Sequence, residues 1–371
     1  MTAKLLNILT GINRPSMPSS GSMILVNDLY SAMSEIRTTF LGRAPVDDSW
    51  KAPFDQLIPL TTTKRPHGPD FAPYLDELTR EVCWLVEKVQ PDVIHAQYLG
   101  FALSLAFSRT AGNIPIIAIA HGPDVMAAER SASERAALNE VAAASTAIVA
   151  PTSALADRIN QLTGHRFADR LTLIPWGIPL KDVRVLDHPP DNQPLSLVHA
   201  GRLDDNKSTI TAIEALALAD HPHHLTVIGR GTLREHLEQR SVALSLQERV
   251  HFEPFQPRSE LWHRLSNFDA FVFTTGTLEA FGLVAIEAQA HGLPVVYSDL
   301  PGTREVLGCT GVPYTPGDPH SLAGILDELG QDSHRRRALA EASIDNARRY
   351  DIAVTSRRLR ELTLSVTRYR T

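Results

Sequence analysis

Short, wholly apolar runs alternate with helical patterns along most of the chain. Strands that are apolar throughout and are separated by helices are typical of parallel sheets covered on both faces. The pattern therefore predicts an α/β protein with two Rossmann-like, doubly wound parallel sheets. The predicted strands are residues 5–9, 93–95, 114–119, 147–150, 171–174, 195–199, 225–228, 250–252, 270–273 and 295–297. The predicted helices include residues 209–219, 233–240 and 283–290.

A proline-rich stretch interrupts this pattern near the middle of the chain. Residues 181–194 contain three prolines and lack an apolar period, as in a semi-rigid linker. We expect the arginine-rich segment after about Asp332 to form a solvated helix face. The predicted domains are an N-terminal domain at 1–185, a linker at 186–194, a C-terminal domain at 195–350, and a helix at 351–371 that packs back on the N-terminal domain.

Composition narrows the class of protein. The chain has 371 residues, enough for two ordinary domains, and 43 % of them are hydrophobic and 21 % charged, as in a soluble globular protein. A net charge of −6 does not favour nucleic acid or acidic lipid as the main partner. The two cysteines, Cys83 and Cys309, exclude a disulfide framework, and no Cys/His spacing is that of a zinc site.

The N-terminus and the apolar runs bear on location. Residues 1–10 predict a first buried strand rather than a signal peptide, because the apolar run is short. No uncharged apolar stretch approaches the roughly 18–20 residues of a membrane span. We therefore expect a cytoplasmic protein without membrane association. A monomer or a homodimer is the expected oligomeric state.

A basic turn follows the strand predicted at 195–199. Residues 201–208 read Gly-Arg-Leu-Asp-Asp-Asn-Lys-Ser. Open α/β sheets bind ligands at the carboxyl ends of their strands, so Arg202 and Lys207 are placed to bind a phosphate group. One alternative is a P-loop, although Asn206 replaces its second glycine and no strand ends in a suitable magnesium-binding aspartate. Another makes the two cations ordinary surface charges.

Two glutamates accompany the helix predicted at 283–290. We predict that this helix begins near Phe281 or Gly282, which leaves Glu279 in the preceding loop. The free N–H groups and dipole of a helix start suit an anion such as a diphosphate. Glu287 lies among apolar residues, where a buried carboxylate needs hydrogen bonds from a ligand's hydroxyl pair or from a structural arginine.

Glu279 and Glu287 form a Glu-x7-Glu motif whose context resembles glycosyltransferase family four. The segment Glu-Ala-Phe-Gly-Leu-Val-Ala-Ile-Glu continues as Ala-Gln-Ala-His-Gly-Leu-Pro-Val-Val. The resemblance covers nearly the whole chain and implies the GT-B architecture, in which two Rossmann-like domains face each other across a cleft. Further matching segments, in the family's order, are residues 91–95, 120–124, 151–153, 174–177, 201–203 with Lys207, 228–235, 250–255 and 301–306.

The resemblance implies roles in binding a nucleoside-diphosphate sugar, with UDP as the expected nucleotide. Arg202 and Lys207 match the basic pair that holds the diphosphate and stabilises the leaving group. Glu279 matches the glutamate beside the donor sugar, and Glu287 matches the one that accepts hydrogen bonds from the ribose diol. His121, in the first domain, matches the histidine that reaches over to the donor sugar.

Other positions are implied as donor contacts. Phe281 to Leu283 match backbone positions around the sugar hydroxyls and the phosphate, and the loop 20–22 lies where the diphosphate closes the cleft. Phe255 is expected beside the base. The donor-binding positions beyond the charged ones are Gly21, Ser22, Gly201, Gly229, Gly231, Phe255, Phe281, Gly282 and Leu283.

Two departures from the family pattern leave the acceptor open. Residues 20–23 read Ser-Gly-Ser-Met where two glycines are usual, and Trp176 stands where asparagine is common. The resemblance implies that both positions face the acceptor side or the cleft. We expect a small hydroxylated acceptor such as a cyclitol, an aminocyclitol or a glycoside, because no basic amphipathic helix in the N-terminal half suits a bilayer.

The resemblance also implies a reaction. A hexosyl group, such as glucose or N-acetylglucosamine, is transferred with retention when the acceptor hydroxyl attacks from the face that the nucleotide leaves. The chain has no Asp-x-Asp pair, which holds a metal on the diphosphate in glycosyltransferases of the other major architecture, so no metal or further cofactor is expected. A nucleotide-sugar epimerase and a non-catalytic nucleotide-sugar-binding subunit are alternatives.

A small histidine cluster lies outside these motifs. His221, His223 and His224 stand between a predicted helix and the strand predicted at 225–228. A solvated loop is favoured here over a metal site.

Overall fold

The computed structural model describes residues 5–15, 20–33, 35–43, 52–65, 68–185 and 194–368. The chain divides into two compact units, of which one comprises Met1–Gly177 with Ile352–Thr371 and the other Ile178–Asp351. The division after Gly177 lies ahead of the boundary expected at residue 185. The expected linker lies outside the described residues except for Pro194.

The N-terminal unit contains a parallel sheet of seven strands within the described ranges. Its strand order is β3-β2-β1-β4-β5-β6-β7. The strands are β1 (Leu6–Pro15), β2 (Ile36–Arg43), β3 (Gln56–Pro59), β4 (Val93–Gln97), β5 (Ile116–Ile119), β6 (Ala147–Ala150) and β7 (Leu171–Leu173). The helices are α1 (Gly21–Ser31), α2 (Phe71–Val89), α3 (Ala102–Thr110), α4 (Pro123–Arg130), α5 (Ala132–Ala144) and α6 (Ser153–Thr163).

The C-terminal unit contains a second parallel sheet, of six strands in the part of the chain that is described. Its strand order is β10-β9-β8-β11-β12-β13. The strands are β8 (Ser196–Arg202), β9 (His224–Arg230), β10 (Val250–Glu253), β11 (Ala270–Phe273), β12 (Val295–Ser298) and β13 (Val312–Tyr314). The helices are α7 (Thr209–Leu218), α8 (Arg234–Ala243), α9 (Arg258–Arg264), α10 (Leu283–Ala290), α11 (Pro301–Leu307), α12 (Pro319–Gln331) and α13 (Ser333–Ala347).

The last helix, α14 (Ile352–Arg368), returns to the N-terminal unit. Its Ser356 hydroxyl donates to the Leu29 carbonyl of α1, and its Thr355 hydroxyl donates to the Pro175 carbonyl at 2.8 Å. None of the described helices is long and apolar enough to span a membrane.

Each sheet reverses its strand order at one point, which locates the crevice where such folds bind ligands. In the C-terminal unit the reversal lies at β8, which pairs with β9 on one side and β11 on the other. In the N-terminal unit it lies at β1, which pairs with β2 and β4. The segments that follow β8 and β11 are those that carry the predicted phosphate-binding residues of the C-terminal half.

All the predicted strands are present, and the parallel, doubly wound class is confirmed. Three strands were not predicted: β2, β3 and β13. Strand β2 contains Thr38 and Thr39, which are 3 % and 1 % exposed, so its buried surface is not wholly apolar. Strands β3 and β13 are short edge strands, and β13 contains a proline, which edge strands tolerate.

Two expectations about surface groups are wrong in part. Arg336, in the arginine-rich segment, is 2 % exposed and donates to the Gly330 carbonyl at 3.0 Å. His223 is 1 % exposed, accepts from the Leu195 N–H at 3.0 Å and lies 3.1 Å from the Asp327 carboxylate. Both side chains form hydrogen bonds to backbone groups inside the protein. They are therefore buried structural residues and not members of a solvated helix face or loop. Among the described residues, no group of three or more His, Cys, Asp or Glu could hold a metal ion.

Candidate active site

The turn after β8 is joined to the loop after β11 by hydrogen bonds centred on Asn206. Its side-chain amide donates to the Leu278 carbonyl at 3.0 Å, and its backbone carbonyl accepts from the Gly276 N–H at 2.7 Å. The Thr277 hydroxyl donates to the Asn206 side-chain oxygen at 3.0 Å. A glycine could not make the side-chain bonds, so the residue that departs from the P-loop pattern has a bridging role of its own.

Lys207 and Glu279 form an ion pair across these two segments. The Lys207 Nζ lies 2.6 Å from the Glu279 Oε2, and the two side chains are only 17 % and 14 % exposed. The Thr274 hydroxyl holds the Lys207 backbone by donating to its carbonyl at 2.6 Å. The lysine ammonium also lies 5.5 Å from the centre of the Phe273 ring. Lys207 is therefore part of a structured, largely buried site and not an ordinary surface cation.

Arg202 is placed differently from Lys207. Its side chain is 63 % exposed and pairs with the Asp204 carboxylate at 2.8 Å. The other Asp204 oxygen accepts from the Lys207 N–H at 3.3 Å and so caps the single helical turn Asp205–Lys207. The structure thus brings Lys207 and Glu279 together, and places Arg202 on the adjoining surface beside Asp204.

Helix α10 begins at Leu283, close to the predicted start. Gly282 precedes it with a φ of +87°, and a Cβ there would lie 2.8 Å from the Phe273 ring, so both the backbone and the packing favour glycine. Phe281 is 2 % exposed, with its ring edge-on to Tyr350 at 5.2 Å. Any contact that Phe281 makes with a ligand would therefore come from its backbone.

Glu287 lies within α10 and is 5 % exposed, as its apolar surroundings predicted. The flanking residues Ile286 and Ala288 are fully buried. Its backbone carbonyl accepts from the His291 Nδ1 at 2.8 Å, which orients that ring at the end of the helix. A carboxylate held this deeply is costly unless hydrogen bonds satisfy it, so its environment must be polar at the carboxylate itself.

Three of the glycines predicted to bind the donor lie in or just after β8 and β9, and packing requires a glycine at only some of them. A Cβ on Gly229 would lie 2.0 Å from the Gly201 carbonyl, and one on Gly231 would lie 2.1 Å from the Leu203 carbonyl, so the packing of these chain segments requires both. A Cβ on Gly201 would lie 4.0 Å from the His199 Nε2, an ordinary contact distance, so packing does not require a glycine there. Phe255, just after β10, is 38 % exposed, and the Arg230 guanidinium lies 4.8 Å from its ring centre.

In the N-terminal unit, His121 follows β5 and is 9 % exposed. Its Nε2 lies 2.8 Å from the side-chain oxygen of Gln97, and its backbone N–H donates to the Asp124 carboxylate at 3.2 Å. Burial lowers the pKa of His121 to about 3, so the ring is neutral at ordinary pH. The rings of Tyr98 and Trp176 lie 4.5 Å and 6.1 Å from it, centre to centre.

The segment 20–22 was expected to be a loop, and that expectation is wrong. Gly21 and Ser22 form the first turn of α1, and the Ser20 hydroxyl caps the helix by accepting from the Met23 N–H at 3.4 Å. Serine is a favoured capping residue, which explains the early helix start. Ser20 to Ser22 therefore form the N-terminus of α1, and among the described residues a Cβ on Gly21 would meet no atom within 4 Å outside its chain neighbours and its own helix backbone.

Gln97 was missed by the sequence analysis. It is the last residue of β4, two residues beyond the matched segment 91–95, and it is bonded to His121. The available signal was a second polar residue, after His95, in a short run that is otherwise apolar; the Gln97 side chain is 2 % exposed.

Comparisons with known proteins bear on the family and the fold. Residues 187–346 match the family model described as glycosyl transferases group 1, and residues 39–182 match the model of glycosyltransferase family 4. The chain is 28 % identical to the glycogen synthase of Mycobacterium tuberculosis over 265 residues, 67 % of this chain and 63 % of that protein. It is also 28 % identical to the D-inositol 3-phosphate glycosyltransferase of Frankia alni over 327 residues, 78 % of this chain and 79 % of that protein. The chain thus spans less than two thirds of the length of the glycogen synthase.

Solved structures with similar folds cover nearly the whole chain. Anabaena HepE, crystallised with UDP and glucose, matches with a TM-score of 0.80 and 19 % identity over 97 % of this chain and 100 % of that one. The sucrose-phosphate synthase of Thermosynechococcus elongatus matches with a TM-score of 0.81 and 19 % identity over 97 % of this chain and 99 % of that one. The predicted GT-B fold is confirmed, and the two family models together show that the chain belongs to glycosyltransferase family four.

Proposed function

We propose that the protein transfers a hexosyl group from a nucleoside-diphosphate sugar to a small hydroxylated acceptor, with retention at the anomeric carbon. The observation that carries the proposal is the Lys207–Glu279 ion pair, largely buried between the segments that follow β8 and β11. A cation and a carboxylate held 2.6 Å apart at the switch point of a doubly wound sheet suit a ligand that combines a phosphate with hydroxyl groups.

The donor would lie along the carboxyl edge of the C-terminal sheet. Lys207 and the start of α10 would bind the diphosphate, and Arg202 would join them by leaving Asp204, which its exposure permits. Glu279 would accept hydrogen bonds from the sugar, and Glu287 from the ribose diol. Gly201, Gly229, Gly231 and Phe255 would line the nucleoside, and Phe281, Gly282 and Leu283 would offer backbone groups to the sugar and phosphate.

UDP is the proposed nucleotide and glucose the first sugar to test. Support comes from the fold neighbour Anabaena HepE, whose crystal structures are described with UDP, with UDP and glucose, and with UDP-glucose. The exposed ring of Phe255 at the edge of the sheet offers a surface on which a base can stack.

The proposed step needs no enzyme nucleophile. The acceptor oxygen forms the new bond to the anomeric carbon while the bond from that carbon to the phosphate oxygen breaks. The acceptor proton passes to the leaving phosphate, whose growing charge Lys207 and Arg202 stabilise. His121, with its pKa lowered to about 3 by burial, would take part as a neutral hydrogen-bonding group and not as an acid or base.

For the acceptor we propose a polyol that carries an anionic group. Arg14 and Arg43 lie at the carboxyl ends of the neighbouring strands β1 and β2, and the Lys64 ammonium donates to the Asn13 carbonyl at 3.3 Å. Burial and the charges of Arg14 and Arg43 lower the pKa of Lys64. Cations that repel one another suit an anion placed between them, and relatives are named for D-inositol 3-phosphate.

Replacing Lys64 by methionine tests this acceptor proposal. We expect the KM for D-inositol 3-phosphate to rise by roughly 10–100-fold, the cost of one charged hydrogen bond, with the KM for unphosphorylated inositol unchanged. Lys88→Met, which removes an exposed lysine from α2, is the matched control and should change neither value. If the KM for both polyols rose equally in the Lys64 variant, the result would contradict the proposal that the acceptor phosphate binds beside Lys64.

Turnover should not require a divalent metal. Lys207, Arg202 and the start of α10 can neutralise the diphosphate without one. We therefore expect the initial rate in excess EDTA to stay within about twofold of the untreated rate, well inside the tenfold that 1.4 kcal/mol represents. Loss of activity in EDTA that magnesium or manganese restores would contradict this prediction.

One experiment tests the proposed function as a whole. The protein is incubated with UDP-glucose, UDP-N-acetylglucosamine and the corresponding ADP and GDP sugars, each with and without inositol, D-inositol 3-phosphate and aminocyclitols. Mass spectrometry then detects glycosylated product and released nucleotide. Nucleotide release that depends on an acceptor supports transfer. Conversion of the donor without an acceptor would indicate the epimerase, and tight binding without turnover would indicate the non-catalytic subunit. An α-linked product from an α-linked donor would support retention.

A further inference from the structure

A buried series of hydrogen bonds runs from His121 to the last helix of the N-terminal unit. The Gln97 side-chain oxygen lies 2.8 Å from the His121 Nε2, and the Gln97 nitrogen lies 3.2 Å from the Tyr30 hydroxyl. That hydroxyl lies 2.8 Å from the His95 Nδ1, and the His95 Nε2 lies 3.0 Å from the Thr363 hydroxyl of α14. No member of this series is more than 9 % exposed.

The direction of these bonds can be worked out from the Thr363 end. The Thr363 hydroxyl donates to the Leu359 carbonyl at 2.6 Å, so its oxygen is the acceptor toward His95. The His95 Nε2 must then carry the proton, because burial lowers the pKa of His95 to about 3 and keeps the ring neutral. The His95 Nδ1 is left with its lone pair and accepts from the Tyr30 hydroxyl, whose pKa is raised by burial.

The Gln97 amide is oriented by a second, independent bond. The Thr10 hydroxyl donates to the His95 carbonyl at 2.8 Å, so the Thr10 oxygen can only accept from the Gln97 atom that lies 3.1 Å away. That atom is therefore the amide nitrogen, which also donates to the oxygen of Tyr30. The Gln97 oxygen must face His121, and a carbonyl oxygen can only accept. The His121 Nε2 is consequently a donor.

We propose that Gln97 is a positioning residue that holds His121 as the neutral Nε2–H tautomer and leaves Nδ1 as its hydrogen-bond acceptor. In a sugar transferase such a ring accepts from a donor-sugar hydroxyl, and this second half of the inference rests on the proposed function. The tautomer itself does not rest on it, because every bond that fixes it lies within the N-terminal unit.

The tautomer is tested on the full-length protein labelled with 15N-histidine and free of nucleotide. Long-range 1H–15N correlation spectra distinguish protonated from unprotonated ring nitrogens, and His121→Asn identifies the His121 signals by their loss. We expect Nε2 to be protonated and Nδ1 to be unprotonated at neutral pH. A protonated Nδ1, or a mixture of the two tautomers, would overturn the proposal whether or not the protein proves to be a glycosyltransferase.

Variants of Gln97 test whether this residue fixes the tautomer of His121. Gln97→Leu removes the acceptor, and because an unpaired buried N–H is costly, the proton should move to Nδ1. Gln97→Glu keeps an acceptor and should keep Nε2 protonated. The matched control Gln289→Leu removes another buried glutamine, in the other unit, and should leave the His121 signals unchanged. Retention of the Nε2–H tautomer in Gln97→Leu would show that another group fixes the ring.

Ligand affinity tests the contact between His121 and the donor sugar separately from the positioning of His121 by Gln97. In Gln97→Leu we expect the Kd of UDP-glucose to rise about tenfold, the loss of one hydrogen bond, while the Kd of UDP is unchanged. Equal affinity of the variant and the wild type for UDP-glucose, with the tautomer as expected, would disprove the sugar contact and leave the positioning of His121 standing. Failure of the wild type to bind UDP-glucose or UDP would instead count against the proposed function.

Discussion

Replacing Lys207 by alanine should lower kcat by about 10²–10³-fold, which is the usual effect of losing one group that stabilises charge in the transition state. The Lys207 ammonium is held by the Glu279 carboxylate at 2.6 Å and by the packing of Phe273, so it is already placed when the phosphate charge develops. Single-turnover rates at saturating donor would measure the effect on chemistry apart from that on binding. Arg202→Ala is expected to have an effect of the same order.

The control for this prediction must remove a cation from the same unit without touching the site. Arg240 of α8 serves, because its side chain is 40 % exposed and pairs with Glu214 on the surface. Arg240→Ala should leave kcat unchanged, and exposed pairs of this kind contribute only about 0.2–1 kcal/mol to stability. Near-normal rates in both Lys207→Ala and Arg202→Ala would show that the diphosphate binds elsewhere.

Loss of the lysine also leaves the Glu279 carboxylate without its partner, which can destabilise the fold. The double variant Lys207→Ala/Glu279→Gln removes the uncompensated charge as well. The Tm of the double variant, compared with that of Lys207→Ala, measures how much stability the unpaired carboxylate costs, and we expect the double variant to regain Tm. A loss of kcat that persists in Lys207→Ala well below the Tm of that variant would show that unfolding is not the cause.

The strands whose bounds the sequence predicted most closely consist of residues that are both buried and apolar. Strands such as Ala147–Ala150 and Ala270–Phe273 were placed to the residue because both faces of a parallel sheet are covered, so the sequence is apolar throughout. Strand β2 was missed because buried Thr38 and Thr39 interrupt its apolar run. Those threonines are β-branched and suit a strand, but polarity alone does not reveal that they are buried.

In the candidate site too, a local sequence pattern predicted some features, whereas contacts between residues far apart in sequence could not be predicted. Glu287 was recognised as buried because its neighbours along α10 are apolar, and a local pattern suffices for that inference. The pairing of Lys207 with Glu279 joins residues far apart in sequence, so no local pattern predicts it. The bond between Gln97 and His121 likewise depends on the pairing of β4 with β5, which brings the two strand ends together.

Replacing Glu287 by glutamine should raise the KM for UDP-glucose by roughly 10–100-fold and change kcat much less. A carboxylate that accepts from both ribose hydroxyls forms two charge-assisted bonds, and each is worth about 1.5–3 kcal/mol. The ribose does not change during transfer, so the lost interaction is present equally in the ground state and the transition state. Steady-state kinetics with varied UDP-glucose would measure the split, and Glu260→Gln, an exposed acid on α9, should change neither parameter.

A donor that lacks one ribose hydroxyl makes this test specific to the proposed contact. Wild-type protein should bind 2′-deoxy-UDP-glucose, which lacks the ribose 2′-hydroxyl, more weakly than UDP-glucose. The Glu287→Gln variant should discriminate less between the two donors, because it has already lost the charged acceptor that this hydroxyl would meet. Equal discrimination by both proteins would mean that the buried Glu287 carboxylate is bonded to the protein and not to the ribose. That outcome would leave the Lys207–Glu279 pair as the proposed diphosphate and sugar contact, and would require a different residue to hold the nucleoside.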